Sequence, residues 1–167
     1  GPRALGARSI IADSRNKKMQ EILNMKIKFR ESFRPFAPVI LEEKVKDWLE
    51  NTNKSPYMLL TTRIKKNKLL PIKNEDKNKK GLDLLKVPRS LVPAVTHVDY
   101  SARIQTVNKY ENKRIYELLH KFEEKTKCPI LINTSFNVME EPIVCSPADA
   151  LNCFMKTEMD LLIIGNY

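Results

Sequence analysis

The sequence has no glycine-rich phosphate loop. Neither G-x-x-x-x-G-K-[ST] nor G-x-G-x-x-G occurs among its 167 residues, and only four of these are glycine. A nucleotide bound here is therefore held without the backbone cradle of P-loop or Rossmann proteins. A G-x-S-x-G elbow is missing too, and no Cys/His dyad is suggested by position, which removes the common signatures of acyl-enzyme hydrolases. The two histidines, His97 and His120, are far apart and fit no H-E-x-x-H or other ligand spacing, so no metal site is expected. Cys128, Cys145 and Cys153 are odd in number and form neither CxxC nor a zinc pattern. Reduced, largely buried thiols in a cytoplasmic protein are the simple expectation. No apolar run reaches membrane-spanning length, and there is no internal repeat or heptad.

What is present describes an ordinary globular chain with an excess of positive charge. Hydrophobic residues make up 42% and charged residues 30%, enough for one core and, at this length, a single domain over 1–167. The formal net charge of +10 favours anionic partners: nucleotides, phosphorylated metabolites, RNA or a membrane surface. Part of it is a lysine/asparagine-rich tract over 64–80, expected to be a solvated, mobile loop. No aromatic residue interleaves with those lysines as a single-strand stacking platform requires, which argues against a nucleic-acid partner. The chain opens without methionine, directly inside Gly1-Pro-Arg3, and is expected to be a piece of a longer polypeptide.

Pattern reading predicts strands interleaved with helices. Asp13 is placed to cap a helix over 17–25 carrying Met19, Ile22 and Leu23 on one face. Pro35 and Pro38 exclude helix and leave 36–41 extended. Residues 42–49 read as a short helix burying Val45, Trp48 and Leu49, and 57–62 as a strand. Two further strands, 92–98 and 103–107, flank Asp99-Tyr-Ser101. The clearest helix is 112–125, where Ile115, Leu118, Leu119 and Phe122 recur at helical spacing. Cys128-Pro129 ends it, and 130–132 is a short apolar strand in a central position. In Ser146-Pro-Ala-Asp149, serine is the N-cap, proline N1 and aspartate N3 of a helix running to about 156. A last strand is expected over 160–164. The fold class is α/β (α+β), with a mixed sheet.

Three blocks carry candidate chemistry. In Gly1-Pro-Arg-Ala-Leu-Gly-Ala-Arg8, Gly1 and Gly6 permit close backbone approach or positive φ, while Arg3 and Arg8 offer planar forks for phosphate or carboxylate. Lys26, Lys28, Arg30 and Arg34 crowd nine positions among Phe29, Phe33 and Phe36. On an extended backbone Lys28, Arg30 and Arg34 project to one face, converging on one polyphosphate. Asn133, Thr134, Ser135 and Asn137 follow the apolar strand, at the carboxyl end where open α/β sheets place ligands. A turn satisfying its own backbone is the competing reading of that third block. Arg103 is a fourth candidate. His97 fits a satisfied structural role as well as an acid–base one, and His120 a structural role.

These stretches together resemble a known family. Gly1-Pro-Arg-Ala-Leu-Gly, Lys28-x-Arg-Glu-x-Phe-Arg-Pro-Phe-Ala-Pro38, Pro93-Ala-Val-Thr-His-Val-Asp99, Arg103-x-Gln-Thr-Val107 and Asn133-Thr-Ser-Phe-Asn-Val138 with Glu141-Pro-Ile-Val144 are similar to the C-terminal domain of the nodulation-protein/antibiotic O-carbamoyltransferases. The resemblance covers almost the whole chain. It implies a YrdC-like fold: a twisted, mostly mixed sheet with flanking helices and a concave basic cleft. It implies an enzyme that forms carbamoyl-adenylate from carbamoyl phosphate and ATP, with Mg2+ on the triphosphate. A preceding transferase domain, absent here and the place of any iron, then carbamoylates a hydroxyl of a small-molecule acceptor. The alternative is a basic RNA-binding module of the same fold.

Carried over position by position, the resemblance assigns Arg3, Arg34 and Arg103 to carbamoyl phosphate and the departing phosphate. It assigns Lys28 and Arg30 to the triphosphate of ATP, and Asn133, Thr134, Ser135 and Asn137 to hydrogen bonds with the nucleotide. Lys28, Arg30, Ser135 and Asn137 resemble the ATP-holding tetrad of YrdC-like proteins. Three positions depart from the family pattern: Ala7 for a polar residue, and Tyr100 and Glu140 for glycines.

Overall fold

The apolar run that begins at Ile130 becomes an interior strand because both of its faces are covered. In the computed structural model, which describes residues 5–50 and 54–167, the main sheet has four strands in the order β1-β6-β2-β5. These are β1 (Ser9–Asp13), β2 (Ala37–Leu41), β5 (Gln105–Val107) and β6 (Ile130–Ser135). The β6 strand pairs antiparallel with β1, placing Asn133 opposite Ile11, and antiparallel with β2, placing Asn133 opposite Ala37. The β2 and β5 strands run parallel, with Val39 opposite Gln105. Pro38 sits in β2 just before that parallel ladder begins, where its missing N–H costs no pairing with β5. A separate antiparallel pair joins β3 (Thr61–Arg63) to β4 (Ser101–Arg103). The fold is mixed α/β, as composition and pattern predict.

Among the described residues four α-helices flank the sheets: α1 (Met19–Ile22), α2 (Val45–Trp48), α3 (Lys113–Thr126) and α4 (Pro147–Met155). On one face α3 lays Ile115 and Leu119 over Val39, Leu41, Val107 and Leu131. The opposite face buries Ile10, Ile40, Ile130 and Ile132 with Leu23, Trp48, Val95 and Cys153. The predicted cap of α4 is formed in full, with Ser146 accepting from the Asp149 N–H and Asp149 accepting from the Ser146 N–H. Asn112 caps α3 by accepting from the Ile115 N–H, and Lys127 ends that helix at φ 61°.

Several expectations are corrected. Asp13 ends β1, a strand the pattern reading missed, and holds Arg15 at 2.7 Å instead of capping α1. Only Thr61 and Thr62 of the 57–62 segment are in β3. Pro93–Val95 forms a 3-10 turn where a strand is predicted, since Pro93 starts a helical turn as readily as it ends one. Residues 103–107 divide between β4 and β5, in different sheets. The lysine-rich tract folds into 3-10 turns at Lys66–Lys68 and Asn74–Asp76, with Lys68 over the Trp48 ring at 4.5 Å and Lys79 on the buried Asp76. Residues 160–164 pair with no strand among the described residues: Leu162 packs on the core while Leu161 and Ile163 face outward.

Two departures from the family pattern carry a backbone signature. Tyr100 and Glu140, where glycine is expected, adopt φ of 66° and 65°. That region costs an L-residue roughly 1–2 kcal/mol. Glu140 is exposed. Glu140→Gly is therefore expected to raise stability by about 0.5–1 kcal/mol after the entropy glycine adds to the unfolded chain, read as a higher midpoint in urea denaturation.

Candidate functional site

Side chains alternate across a strand, so Asn133 and Ser135 share the β6 face of Leu131, and Ala37 shares the β2 face of Val39. The α3 helix covers the apolar part of that face. Beyond it the same face turns polar, and a recess of about 160 Å³ opens there. Its walls include Arg8, Arg30 and Arg103, with Asn133, Thr134 and Ser135 as short polar groups and Phe36, Met58 and Ile143 as apolar ones. Pockets that enclose drug-sized ligands run to roughly 300–1,000 Å³. The recess suits a phosphate-sized group and not a whole nucleotide.

Each guanidinium reaches the recess by a different route. Gly6 turns the chain at φ 75°, its N–H donates to the Ser9 hydroxyl, and Arg8 follows at the start of β1. Arg8 also donates to the Val144 carbonyl at 3.4 Å. A Cβ on residue 6 would lie 2.3 Å from Cγ1 of Ile115, so the turn is pressed against α3. Gly6→Ala is expected to cost about 2–3 kcal/mol from backbone strain and overlap, and to weaken phosphate binding by moving Arg8. Urea denaturation and phosphate titration measure the two effects.

Arg30 is positioned by Asn24, which the sequence reading did not single out. After α1 the chain widens into a π-turn, Leu23–Ile27, and the Lys28 N–H donates back to Leu23 O at 2.8 Å. Phe29 then takes φ 51°. Asn24, fully buried, accepts from Arg30 Nε at 2.7 Å and donates through Nδ2 to the carbonyls of Ser32 and Arg34. The Arg30 guanidinium lies 4.9 Å from the centre of the Phe36 ring. Burial, with the neighbouring Arg34 charge, pulls Arg30 below its ordinary range. The available signal was an amide in the middle of an apolar helical stripe, a polar group that must find partners if buried.

The segment 28–34 is not extended, so its cations do not share one face. Lys28 is 4% exposed, and its Nζ donates to Ser135 O, to Asn137 O at 2.8 Å and to Asn137 Oδ1 at 2.9 Å. The Ser135 hydroxyl donates to Asn137 Oδ1 at 2.7 Å, and Asn137 Nδ2 donates to Glu141 O at 2.8 Å. This corner is a turn satisfied by an internal ammonium. Burial, with Arg30 adding like charge, pushes Lys28 down to about 8. Arg34 is half exposed, 2.9 Å from Glu31, and lies outside the walls of the recess. Arg103, at the end of β4, faces the recess without an ion-pair partner among the described residues. Arg3 lies outside the described residues.

The structure thus gathers Arg30, Arg103, Asn133, Thr134 and Ser135 at one recess, adds Arg8, and sets Lys28 and Asn137 behind its wall. His97 is partly buried, with burial pulling it below the ordinary histidine range, and Nδ1 lies 3.5 Å from the Ser101 hydroxyl. His120 stands on the exposed side of α3, 3.3 Å from Glu124. Cys128 and Cys153 are buried and Cys145 is exposed. No group of three metal-ligating side chains occurs among the described residues, and no helix there is long and apolar enough to cross a membrane.

Comparison with known proteins agrees over the full length. An uncharacterized protein of Synechocystis sp. is 56% identical over 167 residues, which are all of this chain and 27% of the relative. The nodulation protein NolNO of Sinorhizobium fredii is 40% identical over 170 residues, covering all of this chain and 22% of its own length. Nodulation protein U of the same species is 39% identical across 82% of this chain and 21% of its own. The chain thus spans about a quarter of the length of these curated relatives. The profile described as carbamoyltransferase C-terminus matches residues 1–167, and the chain belongs to that family.

Proposed function

We propose that the recess takes the phosphoryl end of carbamoyl phosphate, that the phosphates of ATP approach it from the Arg30 side, and that this domain forms carbamoyl-adenylate. A preceding region of a longer protein then uses that product to carbamoylate a hydroxyl of a small-molecule acceptor. The observation that carries the reading is the meeting of Arg8, Arg30 and Arg103, remote in sequence, around one phosphate-sized hollow. Membership of a carbamoyltransferase family supports the acyl group.

In this reading water attacks carbamoyl phosphate to release carbamate and inorganic phosphate. A carbamate oxygen next attacks the α-phosphorus of ATP, the bond to the β-phosphate breaks, and pyrophosphate leaves. Both substrates are polyanions, so the protein's work is positioning and charge neutralisation. Arg103 and Arg8 hold the acyl phosphate, Arg30 stands on its Phe36 platform for the nucleotide phosphates, and Thr134 and Ser135 contribute short hydrogen-bonding groups. Arg34 is proposed as a rim residue that stays on Glu31 and contributes little to binding. Lys28 and Asn137 shape the wall. Among the described residues no carboxylate lines the recess, and in this reading Mg2+ enters as part of the nucleotide substrate.

The test is carbamoyl-phosphate-dependent exchange of pyrophosphate into ATP, measured with this chain and with the longer protein. Exchange that requires carbamoyl phosphate supports the reading. Its absence in both proteins, with neither substrate bound, overturns it.

A further inference from the structure

We propose that Asn133 selects the acyl group by presenting a carbonyl oxygen, fixed in direction, that an acyl phosphate can satisfy only through a donor on its acyl substituent, as the N–H of a carbamoyl group. This rests on the reading of the recess as an acyl-phosphate site and adds what discriminates among acyl phosphates.

The direction of the amide follows from a relay of three groups. Pro56 contributes a main-chain carbonyl, which can only accept. Gln105, 2% exposed, donates to it through Nε2 at 2.9 Å and so must turn Oε1 the other way. Asn133 Nδ2 donates to that Oε1 at 2.8 Å. Flipping either amide would set acceptor against acceptor or donor against donor, so the carbonyl of Pro56 dictates both orientations. What remains is Asn133 Oδ1, a buried acceptor without a hydrogen-bond partner among the described residues. Asn133 itself is 6% exposed and lines the recess. Buried polar atoms left unpaired are rare and costly, and one at a ligand site marks the place of a ligand group.

The neighbours say which group. Arg8, Arg30 and Arg103 are donors only and suit the anionic end of a ligand. The ionised phosphoryl end of an acyl phosphate brings only further acceptors to Oδ1, so the donor must come from the acyl substituent. A planar acyl phosphate with an amino substituent meets both demands, oxygens to the guanidiniums and N–H to Asn133. Acetyl phosphate has the same charge and nearly the same shape, but its methyl group cannot donate.

The experiment is calorimetric titration of the chain with carbamoyl phosphate, acetyl phosphate and inorganic phosphate. The protein is expected to favour carbamoyl over acetyl phosphate by about 10–100-fold. In Asn133→Ala that ratio is expected to fall within about 3-fold through loss of carbamoyl phosphate affinity alone, with inorganic phosphate unchanged. Gln105→Met, which frees the amide to rotate, is expected to lower the ratio while keeping both side chains' volumes. Equal weakening of both acyl phosphates in both variants would make Asn133 a merely structural residue and overturn the inference. If the wild type binds both acyl phosphates equally, the site reading stands and this inference falls. If it binds neither, the site reading itself falls.

Discussion

Lys28→Met is expected to cost the fold about 2–4 kcal/mol and to loosen the wall of the recess. Methionine keeps the length and apolar stem of the side chain but removes every donor. The carbonyls of Ser135 and Asn137 and the Asn137 amide oxygen then lose their shared partner in a buried site. The Asn137 carbonyl is left without a donor among the described residues, at a desolvation cost of about 1–3 kcal/mol, while Ser135 O keeps the Asn137 N–H and Asn137 Oδ1 keeps the Ser135 hydroxyl. Because Thr134 and Ser135 belong to the recess, phosphate affinity should fall with stability. Urea denaturation and phosphate titration measure both. A variant as stable as the parent would mean that the turn stands without its ammonium.

The same residue carries a pH dependence. The Lys28 pKa lies at about 8 in the folded chain against 10.5 for an ordinary lysine. From pH about 8 to 10.5 the unfolded chain therefore binds more protons than the folded one, and this group's contribution to stability rises with pH. The stability difference between wild type and Lys28→Met should be flat below about pH 8 and widen by a few kcal/mol at most toward 10.5. Narrowing instead would show that the surrounding oxygens hold the proton more strongly than burial expels it.

Arg103→Ala is expected to lower carbamoyl phosphate affinity, and the exchange that depends on it, by about 100-fold or more. Its guanidinium lines the recess without an ion-pair partner among the described residues, which leaves its charge for an anion. Arg34→Ala is expected to change both by about 3-fold or less. Arg34 and Glu31 are each about half exposed, at 51% and 52%, and such pairs contribute little. The comparison is decisive because both variants remove one surface guanidinium. Equal loss in the two would mean that 28–36 closes over the ligand and brings Arg34 into it.

The long α3, the α4 cap and the β6 strand were legible because each is local. A 3.6-residue apolar period, a Ser-Pro-x-Asp start and an Ile-Leu-Ile run act through neighbours in the chain. The candidate residues were legible as types: arginine forks, short amides and hydroxyls after a buried strand. Their partition was not. Lys28 and Arg30 read alike in sequence, yet a π-turn and a left-handed Phe29 send one inward to Ser135 and Asn137 and the other to Asn24 and the recess. Arg8 and Arg34 read alike as forks, yet one lines the recess and the other pairs with Glu31.

The amino-acid sequence by itself determined the mixed α/β class, the family and the supply of cationic and amide groups, since these follow from local pattern and from motifs in order. Tertiary structure alone decided which cation lines the recess and which is spent inside its wall, and which way the Asn133 amide is turned. The reason is physical: whether a charge or an amide is free depends on its immediate neighbours, and for Arg8, Lys28 and Asn133 these come from segments 136, 109 and 28 residues away in the chain.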